Sequence, residues 1–353
     1  MLDYIIVGAG LSGISIAEEL LARGKKIIVF DDGSQNSSTV AGGLYNPVIL
    51  KRFTLAWNAD EQLKIAMPIY RGLEKKLGVP ILEELPVYRK FSSVEEQNNW
   101  FAAMDKPALS KFLDSKLVSI LNPNIPSNFS FGKVLGTGRL DTGVLIKEYK
   151  SFLRERSLLQ ENSFQYQDLL IEDKAVTYKE FKARKIIFCE GFGMKINPFF
   201  NYLPLHGNKG EYIIIRAPEL KLDFAVKSSV FILPLGKDLY KVGATYDNRD
   251  NDPEPTVKAK ENLVSQLNKL ITCDFEVINQ LAGIRPASRD RKPLVGQHPK
   301  KQVLYCCNGF GSRGVLIAPA IAKNLVEHIE DGEAIDPETD IKRFNKSMPG
   351  FYN

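Results

Sequence analysis

Gly8, Gly10 and Gly13 stand in the spacing G-x-G-x-x-G, and the chemistry such a pattern serves is phosphate binding. Gly8 allows a tight turn, Gly10 lets backbone approach a pyrophosphate, and Gly13 lets a helix pack closely on a strand. A helix opening at Leu11 and Ser12 would turn unpaired N–H groups and the positive end of its dipole toward the same phosphates. Asp31, with Asp32 beside it, is the acid expected to accept the hydroxyls of an adenosine ribose. An acid at that place disfavours a 2′-phosphate and so argues against NADP. NAD and FAD both stay open on these residues alone.

Chemistry of that kind needs particular elements to position it. Residues 3–7 are a short apolar, β-branched run ending at Gly8, which predicts a buried strand. Apolar residues from Ser12 to Ala22 fall at helical spacing before Gly24, and Lys26 to Phe30 predicts a second buried strand. Together they make one strand–helix–strand crossover. Further on, the patterns predict helices over 58–77, 95–113, 141–156 (opened by Asp141 as N-cap) and 257–270. Strands are expected at 185–189, 211–216, 230–233, 239–244 and 303–307, the middle three as a separate antiparallel sheet. A Gly-rich turn over 309–314 then leads into an apolar helix over 315–329.

Composition bounds the rest. At roughly 100–200 residues per domain, 353 residues allow two domains. An apolar fraction of 44% excludes a disordered chain, and 26 Gly with 19 Pro exclude a fibrous one. The formal charge of +5 permits anionic partners without demanding them. No leader-like start and no apolar run of roughly 18 residues is present, so the expected setting is the cytoplasm, with no membrane partner. Cys189, Cys273, Cys306 and Cys307 lack C-x-x-C spacing, which argues against zinc or disulfides and for buried thiols; no metal is expected. His206 and His298 have no nucleophile or ligand near them in sequence and are expected to pack or cap.

Four more segments follow the first crossover in order. Ser37 to Pro47 contains Ser38 and the run Gly42-Gly43-Leu44-Tyr45; Cys189-Glu190-Gly191-Phe192-Gly193 follows a strand. Then come Ala282-Gly283-Ile284-Arg285-Pro286 through Asp290 to Gly296, and Asn308-Gly309-Phe310-Gly311-Ser312-Arg313-Gly314-Val315. This ordered set, across nearly the whole chain, resembles the D-amino acid oxidase / glycine oxidase (DAO) family of FAD-dependent oxidoreductases. Locally, Gly42 to Tyr45, Gly243 to Tyr246 and Gly311 to Gly314 are similar to the oxidase domain of the bifunctional tRNA 5-methylaminomethyl-2-thiouridine biosynthesis enzymes.

The resemblance implies an α/β fold: a Rossmann-like FAD-binding domain from residues 1–75, 138–203 and 286–353, interleaved with an α+β substrate domain on an antiparallel sheet from 76–137 and 204–285. It implies non-covalent FAD, since no Cys or His stands at a family attachment position. It further implies oxidation of a C–N bond by hydride transfer from the adjoining C–H to flavin N5, with oxygen or another species as electron acceptor. Arg285 matches the arginine that pairs with substrate carboxylate; a structural ion pair is the alternative. Arg313 either assists the carboxylate or lines the flavin, and Tyr246 either touches substrate or ends a strand. Ser38, Gly42, Gly43, Leu44, Gly191, Gly309, Gly311, Ser312, Gly314 and Val315 join the first glycine turn as cofactor-binding positions.

Two departures from the family pattern stand out. Phe231 replaces a substrate-contacting Tyr of a Y-x-x-P run, which disfavours plain glycine as substrate, and Phe310 replaces a frequent His. The leading expectation is an oxidase or dehydrogenase acting on a small carboxylate-bearing amine. A stand-alone oxidase removing a carboxymethyl group from a modified tRNA uridine is the alternative, and a non-catalytic flavin-binding protein a third. No methyltransferase domain is present and the basic excess is small, so tRNA is the less favoured partner.

Overall fold

The computed structural model describes residues 1–347. Leu2–Val7 and Ile27–Phe30 are adjacent parallel strands joined by the helix Leu11–Ala22. Phe181–Phe188 lies parallel on the other side of Leu2–Val7, and Leu304–Asn308 lies parallel beyond it. Leu159–Gln160 extends the opposite edge, again parallel, and three short strands add antiparallel pairings. Strands of this kind need both faces covered, which is why they read as unbroken apolar runs. Helices Leu11–Ala22, Ala59–Leu77, Thr142–Glu155 and Gly314–Asp331 cover one face, through residues such as Ile14, Tyr70, Leu145 and Leu325. An aromatic cluster around Phe30, Tyr178, Phe188 and Phe200 covers the other.

A second sheet of eight strands runs in the order 276–288, 205–216, 239–243, 231–236, 225–227, 87–90, 131–134, 113–118. Every neighbouring pair is antiparallel except Ala225–Lys227 with Val87–Lys90. The helix Val257–Asn268 packs Leu263 and Leu267 on one face, and Trp100, Phe91 and Phe53 fill the other. A small three-stranded sheet of Leu44–Tyr45, Gly138–Leu140 and Leu82–Glu84 stands between the two larger ones in the chain's path. The fold is therefore mixed α/β with a Rossmann-like unit at its start.

Three elements differ from expectation. The helix expected over 95–113 ends at Met104, and Leu113 already belongs to a strand. Ser93 caps it properly, its Oγ accepting from Glu96 N at 3.1 Å, but Pro107 has no N–H and pushes Lys106 out of the helical region. Glu276–Ser288 is one strand of thirteen residues, unforeseen because Gly283, Arg285 and Pro286 break its alternation. Ser37–Val40, for which no element was expected, forms a single helical turn. The helix at 142–155 begins as expected, with Asp141 Oδ1 accepting from Val144 N at 3.0 Å.

Candidate active site

A cleft of about 860 Å³ lies where the first parallel strands, the second sheet and the last helix converge, large enough for a dinucleotide and a small substrate. At its floor is the first glycine turn. Gly8 has φ +102°, and a Cβ there would stand 2.5 Å from the Cys189 carbonyl oxygen. A Cβ on Gly13 would stand 1.8 Å from the Gly8 oxygen, so Gly13 seats the helix on the strand from beneath and does not itself face the cleft. Gly10 caps the helix with no side chain of its own, so the first-turn N–H groups beyond Leu11 stay available to an anion. Ser38 Oγ accepts from Leu11 N at 3.3 Å, and Ser12 Oγ donates to the Cys307 oxygen at 2.7 Å. Gly8, Gly10, Leu11, Ser12 and Ser38 all line the cleft.

The acids gather at this end. Asp31 faces the cleft but is already engaged: it accepts from Ala9 N at 2.5 Å and Gly33 N at 2.9 Å, and pairs with Lys150 Nζ at 2.5 Å. Asp32 accepts from Ser34 N and from Ser163 Oγ at 2.6 Å; burial opposes its charge, but these bonds outweigh it and hold the carboxyl below its usual range. Glu190 is the acid that sequence reasoning missed. Burial raises its pKa to about 7, against hydrogen bonds from Tyr166 Oη at 2.5 Å and Asn197 Nδ2 at 2.7 Å. Its contacts come from 7 and 24 residues away along the chain, so no local pattern announces it.

Three further glycine segments complete the wall. Gly43, at φ +69°, would drive a Cβ to 1.9 Å from the Leu140 oxygen; Gly42 and Leu44 line the cleft beside it. Lys241 Nζ holds this segment by donating to the oxygens of Val40 and Ala41 at 3.2 and 3.1 Å, and burial lowers its pKa to about 8. Gly191 lines the cleft at φ +57°, its oxygen accepting from Asn308 Nδ2 at 2.8 Å. In the last turn Gly309, at φ +81°, packs on Leu294 outside the cleft, while Gly311, Ser312, Arg313, Gly314 and Val315 line it. Gly311 N and Arg313 N already donate to the oxygens of Pro286 and Phe310. Ser312 and Gly314 N–H, at the mouth of an eighteen-residue helix, remain for a ligand. Among the described residues no carboxylate pairs with Arg313; burial, with Arg291 nearby, lowers its pKa.

Arg285 projects into the cleft from near the C-terminal end of its strand Glu276–Ser288. Its guanidinium lies over Gly210, where a Cβ would come within 1.9 Å of Nη2. Nη1 donates to Asn208 Oδ1 at 2.7 Å and to the Thr245 oxygen at 3.3 Å, both neutral acceptors. Asn208 is itself fixed by its own bond to Asn248 Oδ1 at 2.7 Å. Tyr246 stands at the rim, 64% exposed, its ring 5.9 Å from the Arg285 guanidinium carbon. Phe231, Leu233 and Tyr212 give this end an apolar wall. His298 packs and caps, its Nδ1 accepting from Lys300 N and Lys301 N, and His206 lies on the exposed side of its strand. The four cysteines are buried free thiols.

These features fit a flavin dinucleotide. The glycines of the Gly8–Gly13 turn let strand, helix and the neighbouring Cys189 backbone pack closely beneath the cleft, and helix N-termini open on the cleft from both ends of the chain. The sequence profile of the DAO family, described as FAD dependent oxidoreductase, matches residues 3–328. Glycine oxidase of Geobacillus kaustophilus (strain HTA426) is 24% identical over 373 aligned residues, covering 95% of each chain. The tRNA 5-methylaminomethyl-2-thiouridine biosynthesis bifunctional protein MnmC of Legionella pneumophila (strain Corby) is 23% identical over 94% of this chain, which spans 55% of that protein. L-proline dehydrogenase from P. horikoshii has a similar fold, with a TM-score of 0.80 at 18% identity over 98% of both chains. The chain belongs to the DAO family of FAD-dependent oxidoreductases, and its cofactor is FAD.

Proposed function

We propose that this enzyme oxidises the C–N bond of a small amine bearing a carboxylate, and that Arg285 is the carboxylate's partner. One observation carries the reading: a guanidinium in the cleft, held only by neutral acceptors, with no carboxylate among the described residues bonded to it. Such a cation is a ready fork for a bidentate anion. FAD, when bound, would supply the acceptor for a hydride from the substrate C–H bond.

The amine loses that hydride from carbon and a proton from nitrogen, and water hydrolyses the resulting imine to a carbonyl compound and the shorter amine or ammonia. Arg285 fixes the carboxylate and thereby the direction of the C–H bond. Tyr212, Phe231 and Leu233 exclude water around the amine, which favours its unprotonated form. The missing hydroxyl at Phe231 supports a substrate larger than glycine. Gly8, Gly10, Leu11, Ser12 and Ser38 are assigned to the pyrophosphate, Asp31 and Asp32 to the ribose, and Ser312, Gly314 and Arg313 to the flavin edge. Cys189 reaches the cleft, but burial pushes its thiol well above the range where a thiolate forms, which supports non-covalent attachment. The division into an FAD domain (1–75, 138–203, 286–353) and a substrate domain (76–137, 204–285) belongs to this proposal. Residues 348–353 lie outside the described residues, and the strand Glu276–Ser288 crosses the boundary at 285.

The test is anaerobic mixing of the yellow holoenzyme with glycine, sarcosine, proline, N-alkylglycines and carboxymethylaminomethyl-uridine. Carboxylate-bearing amines are expected to bleach the flavin. Arg285→Ala is expected to lower kcat/KM by about 100-fold or more, with Arg285→Lys recovering part of it. If Arg285→Ala turned over every carboxylate-bearing amine as the wild type does, the assignment would be wrong. Readmitting air with a peroxide assay separates oxygen from other acceptors.

A further inference from the structure

The charges that line the cleft are sorted by position. Its three carboxylates, Asp31, Asp32 and Glu190, belong to the dinucleotide end, whereas Lys51, Lys227, Arg285 and Arg313 lie away from them. Lys227 is the one of these cations that the proposed function leaves without a task inside the second sheet. It is half-buried at the end of the strand Ala225–Lys227, opposite Phe231, and its Nζ lies 4.8 Å from the centre of that ring. Among the described residues its Nζ makes one hydrogen bond, to the Ser229 oxygen at 3.1 Å, and pairs with no carboxylate. The charged group that acts on it is another cation, Arg89, whose guanidinium is already taken by Glu96 and the Ser228 oxygen. Burial together with Arg89 lowers the Lys227 pKa to about 8, as expected of an ammonium lacking a counter-ion.

The sheet register relates this lysine to Arg285. Lys227 pairs with Phe231, Phe231 with Gly243, and Gly243 with Tyr212, so all four point to one face. Two residues before Tyr212 on the same face is Gly210, over which the Arg285 guanidinium lies. Between the two cations the face carries glycines at 210 and 243 and the apolar rings of Tyr212 and Phe231, which form a trough. With strands ~4.8 Å apart and residues ~3.3 Å apart, and each side chain leaning inward, the two charged heads are on the order of 10 Å from each other.

We propose that Lys227 is a specificity-determining residue that binds a second anionic group of the substrate, a carboxylate or phosphate on an arm reaching about 10 Å beyond the carboxylate held by Arg285. The substrate class is thus an N-substituted amino acid with an acidic tail. This deepens the function proposed above and rests on it.

Two measurements on the holoenzyme test the idea. The first is calorimetric binding of non-oxidisable acids, with α,ω-dicarboxylates of rising chain length set against monocarboxylates of the same length. A charge-assisted contact of this kind predicts that the diacid spanning the two cations binds about 10–100-fold tighter than its monoacid, shorter diacids gaining less. The second is turnover of N-(carboxyalkyl)glycines and N-(phosphonoalkyl)glycines against N-alkylglycines, where the preference is expected in KM rather than kcat. In Lys227→Met, which keeps the apolar stem, the diacid-to-monoacid ratio is expected to fall to near one; Lys227→Arg keeps the charge and is expected to preserve much of it. An advantage for only one of the two acid types upholds the site and names the tail. Diacids that bind no tighter than monoacids, or a ratio unmoved in Lys227→Met, overturn the proposal. If monoacids themselves fail to bind, or bind equally to Arg285→Ala, the reading of Arg285 has failed instead.

Discussion

At the scale of single residues, Glu190 offers a sharp test of the buried end of the cleft. Its carboxyl titrates near 7 in the folded protein against about 4.5 when the chain is unfolded, because burial disfavours its charge more than Tyr166 and Asn197 favour it. The folded state therefore holds the proton more tightly than the unfolded state. That contribution to stability is complete below the unfolded pKa and is lost as pH rises through about 7, a change on the order of 3 kcal/mol. Glu190→Gln removes the titration and keeps a polar group between Tyr166 and Asn197. Thermal melts of the holoenzyme should show the variant gaining several degrees on the wild type between pH 5 and pH 8. A difference that stays flat with pH would show that Glu190 ionises as an ordinary surface carboxylate does. None of this could be read from the sequence, where Glu190 was one letter in a turn after a strand. Asn208 and Lys227 were hidden for the same reason: each acquires its role from partners on other strands. Arg285 was visible because a recurring A-G-I-R-P run marks it, whereas its seat over Gly210 was not.

At the scale of elements, the first crossover was legible because everything that makes it is local. Two apolar runs, one helical repeat and three glycines suffice, and the observed strands and helix match within a residue or two. The long strand Glu276–Ser288 was opaque because its cleft-facing positions carry a glycine and an arginine in place of apolar residues. The same local logic predicts which glycines matter. Gly13→Ala would put a methyl group 1.8 Å from the Gly8 oxygen and lift the helix off the strand. The purified variant is expected to lose most of its flavin, read as the 450 nm to 280 nm absorbance ratio, or to fail to fold. Gly24→Ala is the control: its φ is +69°, but nothing lies within 4 Å of the new Cβ. That change should cost about 1 kcal/mol in backbone strain and leave the flavin ratio at the wild-type value. Equal flavin loss in both variants would mean that the close packing at Gly13 is not what forms the turn.

For the whole molecule, the cleft draws its walls from both large sheets and from segments separated by most of the chain's length. A ligand that fills it touches the folded state alone, so its binding free energy adds to folding stability. Stripping FAD is expected to lower Tm, and re-adding it should raise Tm with the logarithm of free FAD, by about 4 kcal/mol of stability at a thousandfold excess over Kd. A melting temperature indifferent to FAD concentration would show that the cleft is equally well formed without it. Among the described residues no helix is long and apolar enough to cross a membrane.

The seat of Arg285 has a consequence for how such a site could change over time. The guanidinium occupies the volume that any side chain at position 210 would need. Arg285 keeps that seat only while residue 210 is glycine, because a side chain there would push the flexible guanidinium aside. A lineage moving to an uncharged substrate can therefore start from either position: it can replace Arg285 outright, or place at 210 a side chain that turns the cation out of its seat.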